Sequence, residues 1–452
     1  MTEIEKRCFK SVGKLPEGWL YCRNDALFQE RTEFCDESEP ISSLLSVSEY
    51  YGIARRQDKV DDEIISRAET LDGYRRCYSG DLVMNYMLAW KGAQAISLLD
   101  GVVSPSYAVY QPTDKIVPMF AHYLYRTDLF CGLFEANSTG IIKSRLRLYP
   151  KTFMKLHSIL PPLSEQDAIV SFLNSKCAAI NEAISRHATI IKKLKEYRKT
   201  VITKSVTGGL RTNVKMKDIN LLWVTTIPED WMVYKISHIL DRNHPYPLGD
   251  GDHGSIKADD YANDGIPFIR VQNLGYAEAL NLSNVIYITE VQNQTIKNST
   301  LKPDDILFAK TGATIGKTAI MPYDIPIANT TSHVGKITVD VTRFFPKYIF
   351  YALSSDVGYH QLWDIAGKKA TRPEVGLEEV KSLRLIIPNS LEEQKYIAAY
   401  LDNQCSKVDE AVSRQKAAIE KLEEYKKSII YNAVTGKIDC RNYNEEASYE
   451  SC

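Results

Sequence analysis

The feature that most constrains this chain is a stretch that it contains twice. Residues 165–210 recur at 393–438 with no gap, at an offset of 228: Gln166 matches Gln394, Cys177 matches Cys405, Glu182 matches Glu410, Tyr197 matches Tyr425, and Val206-Thr207-Gly208 matches Val434-Thr435-Gly436. Apolar or small-core positions fall at Leu173, Cys177, Ile180, Ile184, His187, Ile191, Leu194, Arg198 and Val201, and again at Leu401, Cys405, Val408, Val412, Gln415, Ile419, Leu422, Lys426 and Ile429. That four-three alternation is the seam of a coiled coil, and it predicts one long helix per copy. No proline interrupts either copy. Ser390 with Glu393 forms a capping box, Ser164 with Asp167 a looser one, and Gly208 and Gly436 stand where a terminating glycine is expected. Each helix would be a rod of roughly 60 Å at about 1.5 Å per residue. A seam this narrow needs a partner. The nearest is the other copy, and the globular segment between them favours an antiparallel pair. The polar seam positions, His187/Gln415 and Arg198/Lys426, cost stability and fix register.

The repeat is larger than the helix. Leu15-Pro16-Glu17-Gly18-Trp19 is echoed by Ile227-Pro228-Glu229-Asp230-Trp231 at an offset of 212. Leu45-Ser46-Val47-Ser48 aligns with Ile269-Arg270-Val271-Gln272 at 224, as Gly80-Asp81-Leu82-Val83 does with Asp304-Asp305-Ile306-Leu307; Gly140 and Arg145 align with Gly367 and Arg372 at 227. Short apolar runs predict strands over 41–47, 81–84, 107–110, 267–271, 305–309 and 335–339, with short helices over 119–129 and 346–353. The chain is therefore expected to be of mixed α/β (α+β) class: two tandem α/β domains, 1–160 and 227–388, separated and joined by two long helices over 161–210 and 389–438 that pair as an antiparallel coiled coil. A linker, 211–226, follows the first helix. Residues 1–14 read as loose and 439–452 as a flexible tail.

Composition bounds the function class. With 452 residues, 44% apolar and 25% charged, the chain is an ordinary globular sequence with length for two to three cores. No run of eighteen apolar residues exists and residues 1–10 lack an apolar core, so neither a membrane span nor a signal peptide is expected. The nine cysteines include no CxxC pair, which points to a reducing cytoplasm rather than disulfides or zinc. No P-loop, GxSxG elbow or HExxH motif is present; 310–317 resembles a phosphate loop only superficially. Gly249, Gly251 and Gly254 neither follow a strand nor open a helix, and Asp250, Asp252 and His253 read as a turn rather than metal ligands.

Two related domains held by a rigid spacer suit a target read at two places, and duplex DNA is such a target. Local charge agrees. Between 141 and 157 stand Lys143, Arg145, Arg147, Lys151 and Lys155 with no acid, and the corresponding part of the second half has Lys368, Lys369 and Arg372. Arg55, Arg56 and Lys59 form a smaller cluster, and Lys257 and Lys310 complete the basic candidates for phosphate contact. For base reading, Arg270, Gln272 and Asn273 are the candidates in the second half, with Ser46 and Ser48 holding the places of Arg270 and Gln272 in the first.

In this order, twice over, these features resemble the DNA-specificity subunits of type I restriction–modification systems. They are the Leu-Pro-Glu-Gly-Trp opening, the Gly80-Asp81-Leu82 and Asp304-Asp305-Ile306 strand starts, the proline-containing leads into Glu165-Gln166 and Glu393-Gln394, and the helices ending in Val-Thr-Gly. The resemblance implies two target-recognition domains, each binding one half of a split, asymmetric double-stranded DNA target, with helices that set the gap and dock two adenine methyltransferase subunits. Motor-nuclease subunits would complete the complex. No catalytic residue and no cofactor is implied in this chain; S-adenosylmethionine, ATP and magnesium would belong to the partners. The divergence of the two domains implies a target that is not a palindrome. The competing reading is a coiled-coil adaptor with two protein-binding α/β domains.

Overall fold

The computed structural model describes residues 1–35, 39–58, 71–367, 373–441 and 443. The chain divides into two compact units, Met1–His187 with Ala417–Cys452, and Ala188–Lys416, so both long helices belong partly to each.

The first unit is built on a four-stranded antiparallel sheet in the order Phe28–Glu30, Tyr107–Pro112, Leu82–Asn85, Gln94–Ile96. Its inner strands are largely apolar, with Leu82, Val83, Met84, Val109 and Tyr110 fully buried. Helices Pro118–Tyr125 and Asp128–Ala136 cover it, the second started by Thr127, whose hydroxyl accepts from Phe130 N. Phe28, Phe120, Tyr125, Phe130, Phe134 and Phe153 fill the space between. The strand pair Leu20–Arg23 and His157–Leu160 closes the unit beside the long helix. The second unit repeats the plan. Its sheet runs Leu248–Asp250, Val334–Ile337, Ile306–Ala309, Thr318–Ile320, and Trp231–Lys235 pairs with Arg384–Pro388. Helices Pro346–Ser354 and Asp356–Ala366 lie at the equivalent places, Ser355 capping as Thr127 does.

The predicted strands exist, some shifted. Residues 41–43 are a 3-10 turn and the strand is Leu45–Ser48; the strand expected at 267–271 is Ile266–Ile269. The helix expected over 119–129 is two helices, Pro118–Tyr125 and Asp128–Ala136. Residues 1–14 are not loose. Thr2 and Glu5 form a capping box that starts helix Glu3–Phe9, and Phe9 enters the core. The stretch read as a linker over 211–226 carries most of an antiparallel hairpin, Met216–Leu221 with Val224–Pro228. At the chain end Cys440 is buried and the Tyr443 hydroxyl donates to Ser175 Oγ at 2.7 Å, so the described start of the tail is docked.

The long helices are Leu163–Gly208 and Leu391–Val434. Every seam position read from the heptads is buried or half-buried. The helices run antiparallel in both units. In the first unit Lys426 Nζ donates to Asn181 Oδ1 at 2.8 Å, while the later Tyr443 meets the earlier Phe172 and Ser175. In the second, the buried Arg198 pairs with Asp409 and donates to Cys405 O at 3.0 Å and Ala277 O at 2.8 Å, while Arg211 meets Glu393. Asn181 and Asp409 occupy corresponding positions, as do Lys426 and Arg198. Two of the four polar seam residues thus reach across to the same place on the facing helix, which is how a polar seam position holds register.

Two further devices recur. Gln166 and Gln394 are buried near each helix start. Gln166 Oε1 accepts from Val117 N at 2.7 Å and its Nε2 donates to Lys115 O and Pro161 O. Gln394 Oε1 accepts from Phe345 N at 2.8 Å and its Nε2 donates to Arg343 O and Pro388 O. At the helix ends Gly209 and Gly436 take left-handed φ values of +73° and +75°. Gly209, not the expected Gly208, serves in the first copy. A Cβ on Gly209 would lie 3.1 Å from Trp231, and one on Gly436 would lie 2.4 Å from Pro16 and 3.3 Å from Trp19, so each glycine makes room for its unit's opening tryptophan region.

Candidate nucleic-acid interface

In the first unit Ser46 and Ser48 lie on a hairpin, Leu45–Ser48 against Gly52–Arg55. Gly52, at φ +77°, ends the turn that carries Tyr50, which is 85% exposed. The two serines are engaged locally: Ser46 Oγ lies 3.0 Å from Tyr51 Oη, and Ser48 Oγ accepts from Tyr50 N. Arg55 donates to Ser42 O, and Arg56 is half-buried. Lys59 lies outside the described residues. The hairpin is fastened by Arg126, whose guanidinium donates to Ser48 O, Gly92 O and Gln94 O from Nη1 and to Glu49 O at 2.7 Å from Nη2. One cation thereby ties the turn to the chain on its other side through charge-assisted bonds.

Beneath this turn sits His122, its Nδ1 placed to accept from Ile96 N at 3.4 Å. Burial, and behind it the charges of Arg126 and Lys426, push the imidazole down to about 4. The folded unit therefore keeps His122 neutral where an unfolded chain, with a value of about 6.5, takes up a proton. Stability is complete above about pH 6.5 and falls as pH drops toward 4, by up to about 3 kcal/mol from this group. Denaturant midpoints measured from about pH 7 to pH 4 for wild type and His122→Phe check it: the variant should lose less stability over that window.

Lys143, Arg145 and Arg147 sit on a loop tied by reciprocal bonds between Thr139 and Arg147, N to O at 2.9 and 3.0 Å. A 3-10 turn, Lys143–Arg145, shapes it. All three basic side chains are exposed, Lys143 with its ammonium 2.8 Å from Glu135. Lys151 and Lys155 are also exposed, on the short helix Pro150–Lys155.

In the second unit the local structure differs. Phe268 and Ile269 pair in parallel with Asn329 and Thr330, as Leu44 does with Val102, so the two halves correspond up to this point. Beyond it, Val271–Asn273 is a 3-10 turn rather than a hairpin strand. Arg270 thus does not end a strand. Its backbone N–H donates to Asn273 Oδ1 and its Nη2 to Asn284 O. Asn273 is buried and spends its amide on Arg270 N and Asn281 O, which removes it from base reading; Gln272 is exposed. Lys310 is buried too, its ammonium 2.5 Å from Asp250 and 3.6 Å from Glu374, so it braces the glycine-rich loop rather than offering its charge to a phosphate. Asp252 accepts from Gly254, Ser255 and Ile256 N–H groups, the turn role expected of it. Gly251 passes so close to Thr330 O that a Cβ would lie 1.8 Å away. Lys257 is exposed. Lys368, Lys369 and Arg372 lie outside the described residues. Among the described residues no group of three or more His, Cys, Asp or Glu could hold a metal ion, and no helix is long and apolar enough to cross a membrane.

Sequence reasoning missed Arg126, His122 and Tyr50. The first two announce themselves only through contacts distant in sequence; the Tyr50-Tyr51-Gly52 triplet after a short apolar run is a readable turn signal.

These observations define an architecture: a duplicated mixed α/β unit, each copy braced by antiparallel portions of two long helices and carrying exposed basic residues of its own. Residues 228–421 match the type I restriction modification DNA specificity domain. The chain is 28% identical over 314 residues to the Type I restriction enzyme EcoBI specificity subunit of Escherichia coli, an alignment that takes in 68% of this chain and 64% of that protein. It is 23% identical to the MjaVIII specificity subunit of Methanocaldococcus jannaschii, over 79% of this chain and 80% of that one. A solved chain from work on complex assembly and conformational transition of the type I R-M system shares the fold, with a TM-score of 0.65, 17% identity and coverage of 94% of this chain and 100% of that one. The chain is thus similar to type I restriction–modification specificity subunits, over residues 228–421 in the family match and over more than two thirds of its length in these relatives.

Proposed function

We propose that this chain gives a type I restriction–modification complex its DNA specificity, each unit reading one half of a split, asymmetric duplex target. The observation that carries this is the repetition of one braced scaffold under different loops: the Gln166 and Gln394 clips match bond for bond, whereas the hairpin at 45–55 and the 3-10 turn Val271–Asn273 do not. A scaffold kept alike and loops made unlike suit two half-sites of different sequence. The exposed Lys143, Arg145, Arg147 and Lys257 hold phosphates, with Arg55, Arg56, Lys59, Lys368, Lys369 and Arg372 added to them, while Ser46, Ser48, Arg270 and Gln272 read bases. The helices set the gap and dock two adenine methyltransferase subunits, to which motor-nuclease subunits add. Catalysis lies with those partners, as do S-adenosylmethionine, ATP and magnesium, and the complex works in the cytoplasm.

Fluorescence anisotropy of the chain with its methyltransferase subunits on labelled duplex, across a salt series, tests the electrostatic part. Binding should weaken about 10³-fold or more between roughly 50 and 200 mM salt if about six or more phosphates are held. The Lys143→Ala, Arg145→Ala, Arg147→Ala triple variant should flatten the log–log slope by about 3, roughly one for each phosphate released. An unchanged slope would remove this loop from the interface.

A further inference from the structure

The basic loop of the first unit carries something that phosphate binding does not need. Ile141 at its tip is fully exposed, at 102%, and Ile142 is 52% exposed. They precede the 3-10 turn Lys143–Arg145, so two β-branched apolar side chains stand in water beside Lys143, Arg145 and Arg147. The loop is held stiffly. Thr139 and Arg147 close its neck, and Gly140 lies so near the returning chain that a Cβ would fall 2.6 Å from Arg145 O. A stiff loop can press an apolar tip into a target without folding back to bury it.

We infer that Ile141, supported by Ile142, is an apolar wedge that enters between stacked base pairs of the first half-site while the flanking cations hold the phosphates on either side. Isoleucine is among the residues that open base steps and kink duplex DNA in this way. The cations select the occupant: three basic side chains around an apolar tip complement a polyanion whose interior is apolar. At the offset of 227 residues the second half carries Lys368 and Lys369 where the first has Ile141 and Ile142. The wedge therefore acts on one half-site only, and the bend it makes is placed asymmetrically on the target. This inference rests on the DNA reading above.

The test uses the full chain with its methyltransferase subunits. The probe is a duplex carrying the motif that this complex methylates, with a donor and an acceptor dye at its two ends. For the wild type, binding should shorten the end-to-end distance read by energy transfer. The Ile141→Ala, Ile142→Ala double variant should bind about tenfold more weakly, bend the duplex less and keep the wild-type salt slope, because the cations that hold the phosphates are untouched. Ile141→Leu, still apolar and of similar volume, should keep both affinity and bend. The two residues are exposed, so the thermal midpoint should not move. Wild-type affinity and bend in the double variant would overturn the wedge and leave the DNA reading intact. A double variant that binds duplex normally but no longer co-purifies with the methyltransferase subunit would also overturn it, making the tip a protein-docking point. A wild-type complex with no salt-sensitive duplex binding would overturn the DNA reading and the wedge with it.

Discussion

Gln394→Ala destabilises the second unit by about 2–4 kcal/mol, and Gln166→Ala does the same to the first, because each leaves one buried carbonyl and two half-buried backbone groups without their partner. In the second unit the amide ties three separate pieces together: Phe345 N–H, which precedes helix Pro346–Ser354, Arg343 O in the same approach, and Pro388 O at the end of strand Arg384–Pro388. Alanine removes all three bonds, and of the groups it strands Pro388 O is the buried one. Gln394→Glu is the sharper control. A carboxylate still accepts from Phe345 N–H but cannot donate to two carbonyls, so it should be no better tolerated than alanine near neutral pH. Thermal or denaturant unfolding of the variants measures the loss. A shift under about 1 kcal/mol would mean that the clip is incidental to the scaffold.

Arg126→Met abolishes recognition of one half-site while leaving the second unit untouched. The guanidinium holds the carbonyls of Ser48 and Glu49 against those of Gly92 and Gln94, and methionine fills the volume but donates nothing. Those carbonyls lose their donor and the turn carrying Tyr50 is no longer fixed. Target binding should fall about 100-fold or more, at roughly 1–3 kcal/mol for each base pair whose reading fails. Arg126→Lys should recover only part, since one ammonium cannot reach both sides of the turn. The check is binding to three duplexes, one with both half-sites, one with the first scrambled and one with the second scrambled. Wild type loses affinity on either scrambled duplex; the variant should lose nothing further when its own half-site is scrambled. Equal losses by variant and wild type would free the hairpin from any reading role.

The parts legible in the sequence are those whose physics is periodic. The long helices declare themselves through a seam kept over many turns. The same seam marks Arg198 and Lys426 as polar intruders, and these are the residues that find partners at Asp409 and Asn181 on the facing helix. Helix Glu3–Phe9 carries a Thr2–Glu5 box, but at seven residues it is too short to show a period, so the stretch reads as loose. The charged loops are only half legible. Composition finds exposed cations such as Arg145 and Arg147, but it cannot tell them from Lys310, which is buried with its charge spent on Asp250. Nor does the alignment of Ser46 with Arg270 foresee that one lies on a hairpin and the other ahead of a 3-10 turn. How a side chain is used depends on neighbours distant in sequence, and no local pattern encodes those.

That two unlike units read two halves of one target is tested most directly by co-expressing the chain with the methyltransferase subunit expected to be encoded beside it and mapping adenine methylation across the host DNA by long-read sequencing. The expected result is a new motif of two different half-sites separated by a fixed run of unspecified bases. A palindromic or uninterrupted motif, or no new methylation from a complex that assembles and binds cofactor, would contradict it.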